Sequence, residues 1–301
     1  MSELLDINVE LSCTGKCEGC EKYFECALPI KDQLLLQTRM QKARKALDRI
    51  KHKIISVGGK GGVGKTLCAA NIATALAMKG RKVGVLDQVF DGPCIPRMLG
   101  VEGKGMEYTE EGLIPTEGVA GIKVASMGLI LEEDEVITWF HEMKRNATEE
   151  LICHVLWGDL DYLVVDVPAG TSSDTVNVIQ YIPEMDGSTV VTIPSEVSQA
   201  VAYKAIVLLQ KAKVPIFGVF ENQAAFTCGK CGLQTDILQS GGGEIIAKKT
   251  DVPFIGSIPL DRRVAECADA GVPVVYKYPD SEAAKIFVKG ADLIEERCKM
   301  A

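Results

Sequence analysis

The chain has 301 residues, 47% hydrophobic and 25% charged, enough to bury the core of one α/β domain with a short extension. Its 33 Lys and Arg against 41 Asp and Glu leave a formal net charge of −8, which argues against a nucleic-acid partner. No apolar run is long enough to span a bilayer and the acidic start MSELLD is no leader, so the sequence predicts a cytoplasmic protein with no membrane partner.

Residues 1–30 read as a cysteine-rich segment. Cys13, Cys17, Cys20 and Cys26 follow the spacing C-x₃-C-x₂-C-x₅-C in a stretch too poor in apolar residues to fold alone, so a metal centre would supply the missing core. In a reducing compartment metal binding is a better use for such thiols than disulfides. Four thiolates suit tetrahedral Zn²⁺ or a [4Fe–4S] cluster, and spacing does not separate the two. Residues 31–52 read as a linker helix without glycine or proline, with Leu35, Met40, Ala43, Leu47 and Ile50 near one face and a basic, solvated second half.

From 53 to 301 the pattern is that of a phosphate-loop ATPase domain. Lys53-Ile54-Ile55-Ser56-Val57 reads as a buried strand and 67–78 as a helix. Between them Gly59-Lys60-Gly61-Gly62-Val63-Gly64-Lys65-Thr66 satisfies G-x-x-x-x-G-K-[ST]. Such a loop turns its N–H groups onto the phosphates of a nucleotide, Lys65 reaches the terminal phosphates, and the Thr66 hydroxyl takes Mg²⁺. Further strands are expected at 82–87, 121–126, 162–166, 189–193, 216–220 and 254–258, and helices at 149–156, 175–181, 196–212 and 281–298. This alternation predicts a mostly parallel sheet with helices on both faces and ligands at the carboxyl ends of the strands.

Three acidic residues fall where such an enzyme needs them. Asp166 ends an apolar strand and is the candidate to hold Mg²⁺ through water, Asp87 ends the second strand and is the candidate to deprotonate the attacking water, and Asp91 follows four residues on. Lys60 is a second lysine near the loop's start. In one subclass of phosphate-loop proteins it reaches a partner's nucleotide, as an arginine finger does, which requires two protomers face to face. Cys228 and Cys231 form a C-x₂-C for which a redox dithiol, half a zinc site and half a cluster site all remain open. A symmetric dimer giving two cysteines per chain would complete a four-thiolate centre. Cys68, Cys94, Cys153, Cys267 and Cys298 read as buried or inert thiols, and His52, His141 and His154 show no spacing that suggests a site.

Together these residues make the chain resemble the Mrp-type iron–sulfur cluster carrier ATPases, which are related to the septum-site MinD proteins and the nitrogenase iron protein. The likeness runs from about Lys53 to the C-terminus. It rests on GGKGGVGKT at 58–66, GPCIPRMLG at 92–100, WGDLDYLVVD at 157–166, Glu221-Asn222, the C-x₂-C and SGGGE at 240–244. Cys17, Cys20 and Cys26 resemble the C-x₂-C-x₅-C of longer members with an N-terminal [4Fe–4S] cluster, whose first cysteine lies farther upstream than Cys13. The resemblance implies a homodimeric, slow ATPase that assembles a [4Fe–4S] cluster on Cys228 and Cys231 of two chains and passes it to apo iron–sulfur clients. It also implies that Asn222 reads adenine. Two places depart from the pattern. Val89 stands where relatives carry a second Asp, and Phe140-His141-Glu142 follows Trp139 in place of Arg-Gly-Pro. An ATP-driven electron donor to a partner metalloenzyme and a MinD- or partitioning-type positioning ATPase are the alternatives.

Overall fold

Both Ile54 and Ile55 of the first strand are buried, although successive strand side chains point to opposite faces. Such a strand needs cover on both sides, which is what the architecture supplies. The computed structural model describes residues 13, 16–17, 20–22, 25–28, 30–131, 137–182, 184–227, 231, 233–235 and 239–300. The principal strands are β1 (Ile50–Gly58), β2 (Val83–Asp87), β3 (Lys123–Ala125), β4 (Leu160–Asp166), β5 (Gly187–Thr192), β6 (Ile216–Thr227) and β7 (Phe254–Leu260). They run parallel in the order β7-β6-β5-β1-β4-β2-β3. Two-residue strands at Thr116–Glu117 and Gln234–Thr235 pair antiparallel with β3 and with the far end of β6.

The long helices are α1 (Lys31–Leu47), α2 (Lys65–Met78), α3 (His141–Cys153), α4 (Ser173–Tyr181), α5 (Glu196–Lys211), α6 (Gly242–Thr250), α7 (Arg262–Asp269) and α8 (Glu282–Met300). On one face Ile54 and Val164 pack with α2, α7 and α8; on the other Ile55, Leu163 and Val165 pack with α1 and α3 to α6. The predicted parallel sheet with helices on both faces is thus the observed fold. No helix among the described residues is long and apolar enough to cross a membrane.

Three boundaries differ most from expectation, one of them the strand expected at 216–220, which continues to Thr227. The first helix ends at Leu47 and β1 begins at Ile50, because Ile50 and His52 pair in register with Leu160 and Tyr162 of β4. Nothing in a run lacking glycine and proline marks that change, so the sequence alone carries the helix on to Lys53. The helix expected at 149–156 occupies His141–Cys153, since its first turns are polar and only Leu151 and Ile152 bring apolar side chains fully into the core.

Candidate nucleotide site and cysteine segments

The carboxyl ends of three adjacent strands meet at one point. Ser56 of β1 and Asp87 of β2 are both register partners of Asp166 at the end of β4. The phosphate loop leaves β1 there, and Gly64, at φ +88, caps α2. A side chain at Gly64 is excluded twice, by that left-handed backbone and by the Asn222 amide, which would lie 2.1 Å from its Cβ. Gly59 faces the backbone of Ala202 at 2.4 Å from an added Cβ, so α5 closes the loop's back. Around Gly61 and Gly62 nothing stands within 4 Å of an added Cβ, and the crown of the loop is open. Buried Val63 anchors it, while Lys60 is half-buried and makes no ion pair among the described residues.

Inside this loop the charges close on one another. Lys65, 8% exposed, donates from Nζ to Asp166 Oδ1 at 2.8 Å, and Thr66 Oγ1 donates to Oδ2 of the same fully buried carboxylate at 2.6 Å. Asp87 accepts from the Val89 N–H at 2.9 Å and from the Ser126 hydroxyl at 3.1 Å. Burial, and then the neighbouring Asp166 carboxylate, push the Asp87 acid up to about 7, against these hydrogen bonds and the Lys65 charge. A carboxylate poised near neutrality is matched to proton transfer from water. One ammonium thus faces two buried carboxylates. The oxygen donors of Thr66 and Asp166 are hard ligands already converged around a positive charge, and they fit Mg²⁺.

Asn222 of β6 donates its amide to Val63 O at 2.9 Å, placing it against the loop. Asp91 lies farther out. It is 67% exposed and accepts from Lys144 Nζ of α3 at 2.6 Å, while the same ammonium stands 3.5 Å from Asp174 at the start of α4. Lys144 therefore ties the loop after β2 to the helix after β4. Helix α3 also meets α1 through Arg39 and Glu149 at 2.8 Å, and α1 follows the cysteine segment in the chain.

The thiols are arranged differently. Cys13, Cys20 and Cys231 are exposed, Cys26 is half-buried and Cys17 is buried; Cys228 lies outside the described residues. The described residues bring none of these thiols into a group of three metal ligands. Such a group forms elsewhere, where His52, Asp186 and Cys298 place ligand atoms within 4.8 Å of one another. Seven residues before Cys228 in the chain, buried Glu221 accepts from the Gly243 N–H at 3.0 Å and from the Ser257 hydroxyl at 2.8 Å, fixing the start of α6. A Cβ at Gly243 would fall 2.6 Å from that of Glu221, so glycine is required in SGGGE.

Sequence reasoning missed Gln88 and Lys144. Gln88 donates its backbone N–H to Asp166 O at 2.8 Å, and its side-chain amide is buried with no hydrogen-bond partner for either atom among the described residues. Its place directly after Asp87 was the available signal. Lys144 had none, because its two partners lie 53 and 30 residues away in the chain.

A family model described as ParA, NUBPL iron-transfer P-loop NTPase, matches residues 49–295. The chain is 40% identical over 286 residues to an iron-sulfur cluster carrier protein of Methanocaldococcus jannaschii, covering 95% of this chain and 97% of that one. A protein of Saccharolobus solfataricus with the same name is 39% identical over 254 residues, covering 84% and 86%. Among solved structures, the nucleotide-binding protein of Archaeoglobus fulgidus in complex with ADP matches with a TM-score of 0.71 at 32% identity, over 82% of this chain and 96% of that one. The cell division ATPase MinD of Pyrococcus furiosus matches with a TM-score of 0.62 at 27% identity, over 83% and 99%.

Proposed function

The chain belongs to the NUBPL-type iron-transfer family of ParA P-loop NTPases, and from that membership we propose that it is a cytoplasmic ATP-hydrolysing scaffold and carrier. It assembles a [4Fe–4S] cluster between two copies of itself and passes the cluster to apo-proteins. One observation carries this reading. Strand β6 carries both Asn222, bonded to the phosphate loop, and Thr227, the residue before Cys228, with a bulge at Gln223 (φ +56) between them. At most about 17 Å of backbone separates Asn222 from Thr227. The nucleotide contact and the C-x₂-C thus lie on one continuous stretch of chain, by which a shift of the loop on nucleotide binding is passed towards the cysteines.

In this mechanism the N–H groups from Gly59 to Thr66 hold the phosphates of ATP and Asn222 contacts the adenine. Lys65 leaves Asp166 for the terminal phosphates. Mg²⁺ held by Thr66, and through water by Asp166, would supply charge neutralisation at the phosphates. Asp87 orients the attacking water and takes its proton. Lys60 of each protomer reaches the nucleotide of the other, which makes hydrolysis depend on the dimer, and Asp91 couples its own loop to α3 through Lys144. Cys228 and Cys231 from both protomers supply four thiolates for the cargo cluster, while Cys13, Cys17, Cys20 and Cys26 hold a second [4Fe–4S] cluster.

Anaerobic reconstitution with iron and sulfide, followed by mixing with an apo acceptor, tests the proposal. Iron and sulfide at the dimer, and their loss to the acceptor in an ATP-dependent step, are the expected result. A dimer that takes up zinc alone would overturn it in favour of a positioning ATPase. A cluster that stays bound while ATP shifts its reduction potential would overturn it in favour of an electron donor.

A further inference from the structure

We propose that His52, Asp186 and Cys298 form a binding site for a divalent transition ion, Zn²⁺ by its chemistry, at the edge of the sheet opposite the phosphate loop. The three residues come from the start of β1, the residue before β5 and the last turns of α8, and their ligand atoms lie within 4.8 Å of one another. His52 is six residues from Gly58, which puts the site about 20 Å along the strand from the nucleotide loop.

Each member is held by its own anchor. Asp186 is clamped to Lys53 from both sides, its N–H donating to Lys53 O at 3.0 Å and its Oδ2 accepting from the Lys53 N–H at 2.8 Å. Its other oxygen meets His52 Nδ1 at 2.9 Å, and the imidazole lies beside Tyr162 with ring centroids 5.2 Å apart. Cys298, 5% exposed, stands three residues after Glu295, which pairs with Arg81 at 2.7 Å and with Lys79 and so pins α8. The ligand positions are thus set without an ion, which lowers the ordering cost of binding one.

The donor set selects the ion class. One imidazole, one carboxylate and one thiolate suit Zn²⁺ or Co²⁺ and disfavour Mg²⁺ and Ca²⁺, which take oxygen alone. In a tetrahedral site, nitrogen and oxygen ligands about 2.0 Å from the ion stand about 3.3 Å apart. The 2.9 Å between His52 and Asp186 needs to open by only a few tenths of an ångström as the ion replaces the bridging proton. With His52 and Asp186 side chains 25% and 16% exposed, an ion can enter and solvent can reach a fourth coordination position. Cys298 is too enclosed to attack a substrate. The bound ion joins the C-terminal helix to two central strands.

The test uses the full-length chain with Cys13, Cys17, Cys20, Cys26, Cys228 and Cys231 replaced by serine, so that the cluster thiols cannot compete and the outcome is independent of cluster carriage. Co²⁺ is added anaerobically as an optical probe, and Zn²⁺ is then used to displace it. The expected result is one ion per chain with a thiolate-to-cobalt charge-transfer band, and a thermal midpoint raised by Zn²⁺. His52→Ala, Asp186→Asn and Cys298→Ser each weaken binding at least about tenfold and abolish the Zn²⁺-dependent rise. Asp186→Asn keeps the size and an oxygen acceptor, so it reads the site even where Cys298→Ser loosens α8. Absence of a bound ion, or a band that survives Cys298→Ser, overturns the proposal.

Discussion

The two edges of the sheet both gather charged side chains from distant parts of the chain, yet they settle that charge in opposite ways. At the carboxyl edge Lys65, Asp87 and Asp166 are buried, and the one ammonium pairs with Asp166 and leaves Asp87 without an ion pair among the described residues. At the amino edge His52 and Asp186 keep contact with solvent, and pairs such as Arg49 with Asp159 are open to it. Burial without full neutralisation keeps Asp87 near neutrality and ready for proton transfer, at a cost in stability. Solvent contact makes the amino edge cheap to build.

The contrast breaks most sharply at Lys65. Lys65→Ala abolishes ATP binding by calorimetry and leaves Asp166 buried without a cation, so chemical denaturation shows a loss of about 3–5 kcal/mol. Adding Asp166→Asn recovers most of that stability and none of the binding. Next comes Asp87→Asn, which retains nucleotide but slows hydrolysis by about 10²–10⁴-fold in a phosphate-release assay. In the parent chain hydrolysis rises as pH passes about 7, where Asp87 loses its proton. Stability runs the other way. The folded chain keeps that proton up to about 7 and the unfolded chain only to about 4, so between those values the folded state binds more protons and this group's contribution falls as pH rises. Asp87→Asn removes that slope from a denaturation series across pH.

Lys144→Met sharpens the contrast at the border of the buried site. It releases Asp91 and Asp174, and steady-state ATPase assays show a change of a few fold with nucleotide affinity nearly unaltered. The smallest effect belongs to the amino edge, where Arg49→Ala breaks a pair with both side chains more than 60% exposed. Denaturation midpoint and hydrolysis then stay where they were, because water replaces the lost partner.

Much of the carboxyl edge was legible in the sequence because it is written in local spacing. The phosphate loop, the strand before it, the helix after it and an Asp at the end of the runs 82–87 and 162–166 are short-range patterns, and the structure places Asp87 and Asp166 in register at the carboxyl edge. What escaped is long-range. His52, Asp186 and Cys298 belong to three elements whose closeness only the strand order β5-β1-β4 and the packing of α8 create. Lys144 sits in a polar helix whose sequence says nothing of Asp91. The end of α1 was missed because Ile50 becomes a strand residue through its pairing with Leu160, a tertiary choice that propensity does not encode.

The pairing of Lys65 with Asp166 has a kinetic meaning. Asp166 is a ligand for the lysine tethered to the same site, at an effective concentration that free nucleotide must exceed to displace it. In the proposed ATP cycle, loss of the terminal phosphate weakens the product's hold on Lys65, and the tethered carboxylate competes for it. Asp166 thereby favours the product's departure.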